Sequence, residues 1–356
     1  MTSKQIAQTR LQTQLLLQHT FTDVAQVVKH FGAMQAQDFA MAKWAIAVRL
    51  QCANDAAVEL TLDQNHIVRT HVLRPTWHFV AAADIHWMLE LSAPNIRRQS
   101  GSTNRQLGLD SVIFRKSNDI ICKALEGGNH FTREELMAVL AQNGIPTDGL
   151  RSSHIMFEAE LEGLVCNGIR KGKQQTYSLL DEKVANKIKY SKYEAIAELA
   201  KRYFTSHGPA TIKDFGWWSG LSLADAKKGA VMNQDILECI TSDSQQYYLP
   251  KELVLDYGES VHLLPAFDEF LISHKDRSAS IHPDFANHAF TKNGIFRPII
   301  VVDGIVAGVW KRLVGKDKVT IETVFFEKVS KRVLNQIKEA THQYATFVGA
   351  KSVVLL

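Results

Sequence analysis

Cysteine is scarce in this chain, with four among 356 residues. Cys52, Cys122, Cys166 and Cys239 are widely scattered and no pair has CxxC spacing, which argues against a cysteine zinc site or a redox dithiol. Scattered thiols in a chain of this size point to a reducing, cytoplasmic compartment. The fourteen histidines contain no HExxH or comparable ligand spacing, so neither a metal nor another cofactor is expected. No apolar run approaches the ~20 residues that a membrane span requires. The opening segment, residues 1–17, is polar and lacks the apolar core and cleavage site of a secretory signal. A heptad segment for dimerisation is also missing, which favours a monomer. The net charge of +4 is weakly basic. Such a balance permits a nucleic-acid partner without demanding one, because what matters is whether the charge gathers on one face.

What is present is ordinary globular material. Hydrophobic residues make up 46% and charged residues 22%, which leaves no room for a largely disordered chain. A length of 356 residues exceeds one ordinary core, so several sub-domains are expected.

Two stretches in the middle share one grammar. Residues 118–126 read as a helix followed by Phe131-Thr132-Arg133-Glu134-Glu135-Leu136. Residues 193–206 read as a helix followed by Ala210-Thr211-Ile212-Lys213-Asp214-Phe215. In each, a threonine precedes an acid by three positions, as capping-box chemistry requires at a helix start. Helical patterns follow at 150–163 and 222–232, and strand-like runs follow those at 164–180 and 240–249. Short helices ending in a two-stranded wing predict winged-helix units. Residues 1–95 read as a more divergent unit. It has helical patterns at 6–19, 23–31, a longer helix after Gly32 reaching Leu50, and another at 55–62. Strands at 71–74 and 76–80 follow, and Asp84 is placed to cap a helix at 85–91. Beyond residue 250 the texture turns β-rich, with runs at 261–264, 296–302, 306–313 and 319–324. Asp303-Gly304 signals a hairpin there, since both residues tolerate positive φ. A helix at 328–347 and a strand at 352–356 close the chain. The expected fold is α+β and mainly α. It comprises a divergent winged helix (1–110), a second (111–185), a third (186–250) and a C-terminal β-rich α+β domain (251–356).

Four segments carry a family resemblance. They are Met34-Gln35-Ala36-Gln37-Asp38; Val68-Arg69-Thr70 with Leu73-Arg74-Pro75-Thr76-Trp77-His78; Tyr203 to Thr211 with Phe215 and Trp217-Trp218-Ser219-Gly220; and Leu264 to Leu271 with Lys275-Asp276-Arg277, Asn293 to Pro298, Val302-Asp303-Gly304 and Gly308-Val309-Trp310. In order and spacing they resemble the AlkZ-like and YcaQ-like family of tandem winged-helix DNA glycosylases. The resemblance implies a catalytic signature of Gln, an apolar residue, then Gln or Asp. Gln35-Ala36-Gln37 is similar to the Gln-ending branch, and Asp38 comes one position late for the other.

That pair suits one chemistry. A glutamine amide does not titrate near neutral pH, so it cannot protonate a leaving base. An N7- or N3-alkylated purine already carries positive charge, and its glycosidic bond is weakened beforehand. Two amide carbonyls then suffice to hold a water and favour an oxocarbenium-like transition state. Gln35 and Gln37 share a face only if Met34–Asp38 is extended or turns into a helix; otherwise they are solvated residues at a helix start.

Alternation at Thr76-Trp77-His78-Phe79 sends Trp77 and Phe79 to one side, read as core, and Thr76 and His78 to the other. Thr76, His78 and Arg74 are therefore pocket candidates, with a satisfied structural histidine as the alternative for His78. Arg69 and Arg74 flank this strand, placed to meet phosphates or to pair with local acids. The resemblance puts Lys275, Arg277 and Arg297 on loops where AlkZ-like proteins hold a hairpin against DNA; solvated surface charge is the alternative. Asp268 reads as supportive, and Trp217-Trp218 as helix packing. The implied partner is damaged double-stranded DNA, cut at the base by a monofunctional glycosylase. A non-enzymatic winged-helix regulator and an interaction scaffold are the rival readings.

Overall fold

The computed structural model describes residues 1–51 and 54–356. The chain is α+β and mainly helical. It divides into two compact units, Met1–Leu60 with Ile196–Leu356, and Thr61–Ala195.

In the first unit a five-stranded sheet runs in the order Ser352–Leu355, Lys318–Phe325, Ile305–Val314, Ile299–Val302, Val261–Leu264. Neighbours are antiparallel except the first two, which are parallel. Parallel neighbours need a crossover, and the helix Lys331–Phe347 supplies it. The turn between Val302 and Ile305 is Asp303-Gly304, at φ 49° and 89°. Positive φ at both central residues matches the right-handed twist of the flanking strands, as the Asp-Gly pair foretold. A bulge between Ile300 and Val301 shifts the register. One side of the sheet is buried under apolar side chains including Trp44, Phe270, Ile337 and Tyr344. Two tryptophans anchor this core by donating indole N–H groups to the strand 261–264, Trp44 to Leu263 at 2.7 Å and Trp310 to Leu264 at 2.8 Å. A buried indole needs such a partner.

Around this core the helices Ser3–Thr13, Val24–Phe31 and Phe39–Ala47 come from the N-terminal stretch. The first ends at Thr13, short of the expected His19. The third starts only at Phe39, capped by Asp38, whose carboxylate accepts from Met41 N–H at 3.1 Å. Between them Ala33–Gln35 is a short strand rather than the beginning of a helix. In the later part, Ile212–Ser219 carries the Thr211/Asp214 capping box, Leu223–Val231 follows, and Leu237–Ser242 pairs antiparallel with Gln245–Pro250.

The second unit holds the helices Ser111–Leu125, Arg133–Gln142 and Leu150–Leu161, with short strands Phe131–Thr132, Thr176–Leu179 and Val165–Asn167 in that spatial order. Its Thr132/Glu135 capping box is closed on both sides. Ile121, Leu125, Leu136, Leu140 and Ile155 are buried against one another from the three helices and give this unit a core of its own. Ahead of it lies the hairpin of Ile67–His71 and Trp77–Ala81, whose first strand starts and ends earlier than the expected run at 71–74. The helix after it runs from Ile85 to Gln106, straight through Pro94. Burial of Trp87, Met88, Leu89, Ala93 and Ile96 offsets the lost proline N–H bond. Asp84 stands at the N-cap position, but its carboxylate accepts from the Trp87 indole at 3.1 Å rather than from the helix backbone.

Among the described residues no helix is long and apolar enough to cross a membrane, and no group of three metal-ligating side chains gathers. Cys122, Cys166 and Cys239 are free thiols; Cys52 lies outside the described residues.

Candidate active site

The strand Ala33–Gln35 leaves its last residue almost wholly buried and delivers Gln37 to the surface two residues later. Their amides engage each other. Gln35 Nε2 donates to Gln37 Oε1 at 3.2 Å, while Gln35 Oε1 accepts the backbone N–H of Gln37 at 2.9 Å. This fixes both the Gln35 rotamer and the direction of its amide. Gln37 Oε1 receives one donor from Gln35, and a carbonyl oxygen has a second lone pair to offer. The exposed position of Gln37 makes that lone pair accessible to water or ligand.

Behind the pair stands a carboxylate. Glu269 is 1% exposed, and its Oε1 accepts the backbone N–H of Gln35 at 2.7 Å. Its Oε2 accepts the Trp218 indole N–H at 3.1 Å and lies 3.4 Å from His207 Nε2. His207 is enclosed by a stacked Tyr203 ring at 4.8 Å and an edge-on Phe31 ring at 5.2 Å. Burial pushes its pKa down, and contact with Glu269 only partly opposes this. Beside Glu269, Asp268 meets Arg49 in a two-pronged pair at 2.8 and 2.9 Å, with both side chains buried. Asp268 also caps the short helix Glu269–Ile272 through the Phe270 N–H at 2.9 Å. The amide pair thus rests on a buried polar network drawn from segments far apart in the chain.

Sequence reasoning missed Glu269, His207 and Arg49. A signal existed for each acid, because Asp268-Glu269 interrupts the apolar run Leu264-Pro265-Ala266-Phe267 and Phe270-Leu271. Acids inside such a run are buried and therefore partnered. Trp218 is packed as read, whereas Trp217 is 44% exposed and donates to the Ile272 carbonyl at 3.2 Å.

The second unit brings Arg74, Thr76 and His78 together at the end of its hairpin. His78 Nδ1 sits 2.9 Å from the Thr76 carbonyl, so this nitrogen carries the proton. Burial pushes the His78 pKa down to about 3, and the neighbouring Arg74 adds to the shift. Phe79 is fully buried as expected, but so is His78 on the opposite side, so both sides of the strand are covered there, while Trp77 is half-buried and lines a cleft. Arg69 is nearly buried, with its guanidinium 4.2 Å from the centre of the Trp77 ring.

Lys275, Arg277 and Arg297 belong to the first unit. Lys275 is exposed; its backbone N–H is fixed by Asp214 Oδ1 at 2.8 Å. Lys275 and Arg277 line a cleft of about 480 Å³ together with Lys213. Arg277 is also tied into packing, donating Nε–H to the Leu271 carbonyl at 2.8 Å and lying about 5 Å from the Phe290 and Phe296 rings. Arg297 follows Phe296 and is exposed.

A family profile described as DNA glycosylase AlkZ-like matches residues 28–347. Among curated proteins, the chain is 24% identical over 369 aligned positions to the interstrand DNA cross-link repair glycosylase of Streptomyces sahachiroi, covering 95% of each. Among solved structures, the DNA glycosylase AlkZ of Streptomyces sahachiroi shares the fold at a TM-score of 0.83 and 20% identity, covering 100% of this chain and 99% of that one.

Proposed function

Because this chain belongs to the AlkZ-like DNA glycosylase family, we propose that it is a monofunctional glycosylase releasing cationic N7- or N3-alkylated purines from DNA. An N7-bridged crosslink presents the same cationic purine and falls in the same substrate class. The observation that carries the reading is the amide pair of Gln35 and Gln37, locked from behind by Glu269.

In this scheme the C1′–N bond breaks first, and its electron pair neutralises the positive purine, which departs without needing an acid. A water held by Gln37 Oε1 adds to C1′ of the oxocarbenium-like sugar and releases its proton to solvent. The exposed Gln37 carbonyl places partial negative charge beside the developing cation without forming a covalent bond to it, and the buried Gln35 amide orients that carbonyl. Glu269 contributes by holding the Gln35 backbone. A lyase step would need a free amine. Lys43, on the helix that follows the motif, is instead held by Asp55 at 2.7 Å and Glu59 at 2.9 Å.

The DNA is proposed to lie on tandem winged-helix units spanning 1–110, 111–185 and 186–250, with residues 251–356 as the β-rich fourth part. Three-helix groups followed by short strands support this arrangement. Arg69, Lys275, Arg277 and Arg297 are the proposed backbone contacts, and Arg74, Thr76 and His78 are proposed to shape the pocket. Double-stranded DNA is bound by a monomer without a cofactor.

The test is alkali-revealed strand cleavage of a duplex carrying N7-methylguanine. Gln37→Ala is expected to lose on the order of 10²–10³ in rate, the usual cost of one preorganised polar group. Gln37→Leu should be inactive, and Gln37→Asp should retain activity because a carboxylate also holds water. Equal release by wild type and Gln37→Leu, with both folded by circular dichroism, removes Gln37 from the mechanism. No release by wild type on any cationic purine lesion refutes the glycosylase reading.

A further inference from the structure

The unit Thr61–Ala195 contains a cleft of about 370 Å³ whose walls include His71, Trp77, Arg133, Phe157, Glu160 and Tyr177. Glu160 is completely buried. Its Oε2 is heavily used: it accepts from His71 Nδ1 at 2.5 Å, the His71 backbone N–H at 3.0 Å and the Thr70 hydroxyl at 3.4 Å. Its other oxygen, Oε1, is buried and has no partner. Leaving a buried acceptor unpaired is costly, more so for a charged group, and such an orphan in a cleft wall marks a place for an incoming donor.

The surroundings define what the donor belongs to. The His71 ring lies 4.2 Å from Trp77, tilted by 44°, and meets Phe157 edge-on at 4.7 Å. Tyr177 lies beyond Trp77, at 6.4 Å. These rings give the cleft aromatic walls that a planar heterocycle can pack against. A second cleft of about 200 Å³ adjoins the first, sharing Trp77, Arg133 and Tyr177 and adding Arg69. Two guanidinium groups there suit a phosphate.

We propose that the first cleft binds a single guanine base, with its N1–H and N2–H edge toward Glu160 Oε1, its ring against the aromatic walls and its phosphate in the adjoining cleft near Arg69 and Arg133. A carboxylate only accepts hydrogen bonds, so it rewards adjacent donors and penalises adjacent carbonyls. Guanine places two donors side by side. Thymine flanks its single N3–H with two carbonyl oxygens, and adenine and cytosine set a ring acceptor beside the amine. The base comes either from a strand, splayed out on binding, or from a free nucleotide. This site is independent of the roles given to Gln35 and Gln37, so either proposal can fail alone.

The experiment is isothermal titration calorimetry on the full chain. The ligands are GMP, guanosine, TMP, and duplexes bearing one bulged guanine or one bulged thymine. GMP is expected to bind at least tenfold more tightly than TMP, and Glu160→Gln to remove that preference by exchanging the acceptor for an amide. Arg133→Ala, at an exposed position, should weaken GMP but leave guanosine unchanged; it serves if Glu160→Gln fails to fold. A guanine preference seen only with the bulged duplexes, and lost in Glu160→Gln or, failing that variant, weakened in Arg133→Ala, assigns the site to a splayed base; the same pattern with GMP assigns it to free nucleotide as well. Equal affinity for guanine and thymine ligands in both formats, or no binding of either, overturns the proposal. So does a guanine preference unchanged in the folded variants.

Discussion

Removing Asp268 is expected to destabilise the unit that carries the amide pair and to slow base release with it. In Asp268→Ala the Arg49 guanidinium stays buried but loses both charge-assisted bonds, at 2.8 and 2.9 Å. Its remaining acceptors are neutral: the Gln14 carbonyl at 3.0 Å, Gln14 Oε1 at 3.1 Å and the Ala45 carbonyl at 2.7 Å. Breaking a buried pair by deleting one partner costs about 3–5 kcal/mol, because the survivor is left without a counter-charge. The same substitution also deletes the cap on Phe270 N–H, which places the expected cost toward the upper end. At about 2–4 °C per kcal/mol for a unit of this size, the midpoint should fall by roughly 6–20 °C. Differential scanning calorimetry reads the shift, and urea unfolding gives the free energy at 25 °C. The double variant Arg49→Met/Asp268→Leu should regain much of the loss, since apolar replacement removes the desolvation cost of both charges. A loss below ~1 kcal/mol in Asp268→Ala would refute the argument. It would mean that water or a neighbouring group reaches the guanidinium. Base release should fall together with stability, because the next residue, Glu269, holds the Gln35 N–H.

Four further outcomes are expected. His78 has a folded pKa pushed down to about 3, so the unfolded chain binds the extra proton first. Its contribution is therefore fully present above pH ~6.5 and is lost on acidification toward 3, at up to about 1.4 kcal/mol per pH unit. His78→Phe should flatten that slope in urea titrations between pH 4 and 6.5, and an unchanged slope would count against the burial effect. Gly304→Ala should destabilise by more than ~1 kcal/mol, because φ is +89° and a Cβ would stand 2.8 Å from the Ala7 carbonyl carbon; wild-type thermal stability would contradict this. Lys275→Ala should keep the fold while making the dependence of log K on log salt shallower by roughly one unit in duplex titrations. Arg277→Ala should weaken binding and also lower thermal stability, since its guanidinium packs on Phe290 and Phe296. If neither variant changes duplex affinity, these loops are not the clamp.

Local chemistry was legible in the sequence because it is written within a few residues. The Thr132/Glu135 and Thr211/Asp214 boxes each close over three positions, and Asp303-Gly304 turns a hairpin with its own φ angles. The strand run at 261–264 and the end of the helix at Phe347 likewise follow from periodicity. The amide pair was singled out by the family resemblance rather than by local chemistry, since two glutamines two residues apart read equally as solvated residues at a helix start. What holds that pair was not visible. Glu269 reaches Gln35 across 234 residues, and Arg49 reaches Asp268 across 219. No local pattern encodes a partner at such a distance. Pro94 showed a similar limit: its missing N–H argues for a break, yet burial along the helix outweighs one lost bond. At the hairpin, period-two alternation separates His78 from Trp77 but carries no label for the inner side. Cover depends on which neighbours pack on each side, and the tertiary structure buried His78 on one side and Phe79 on the other while leaving Trp77 half-buried in the cleft.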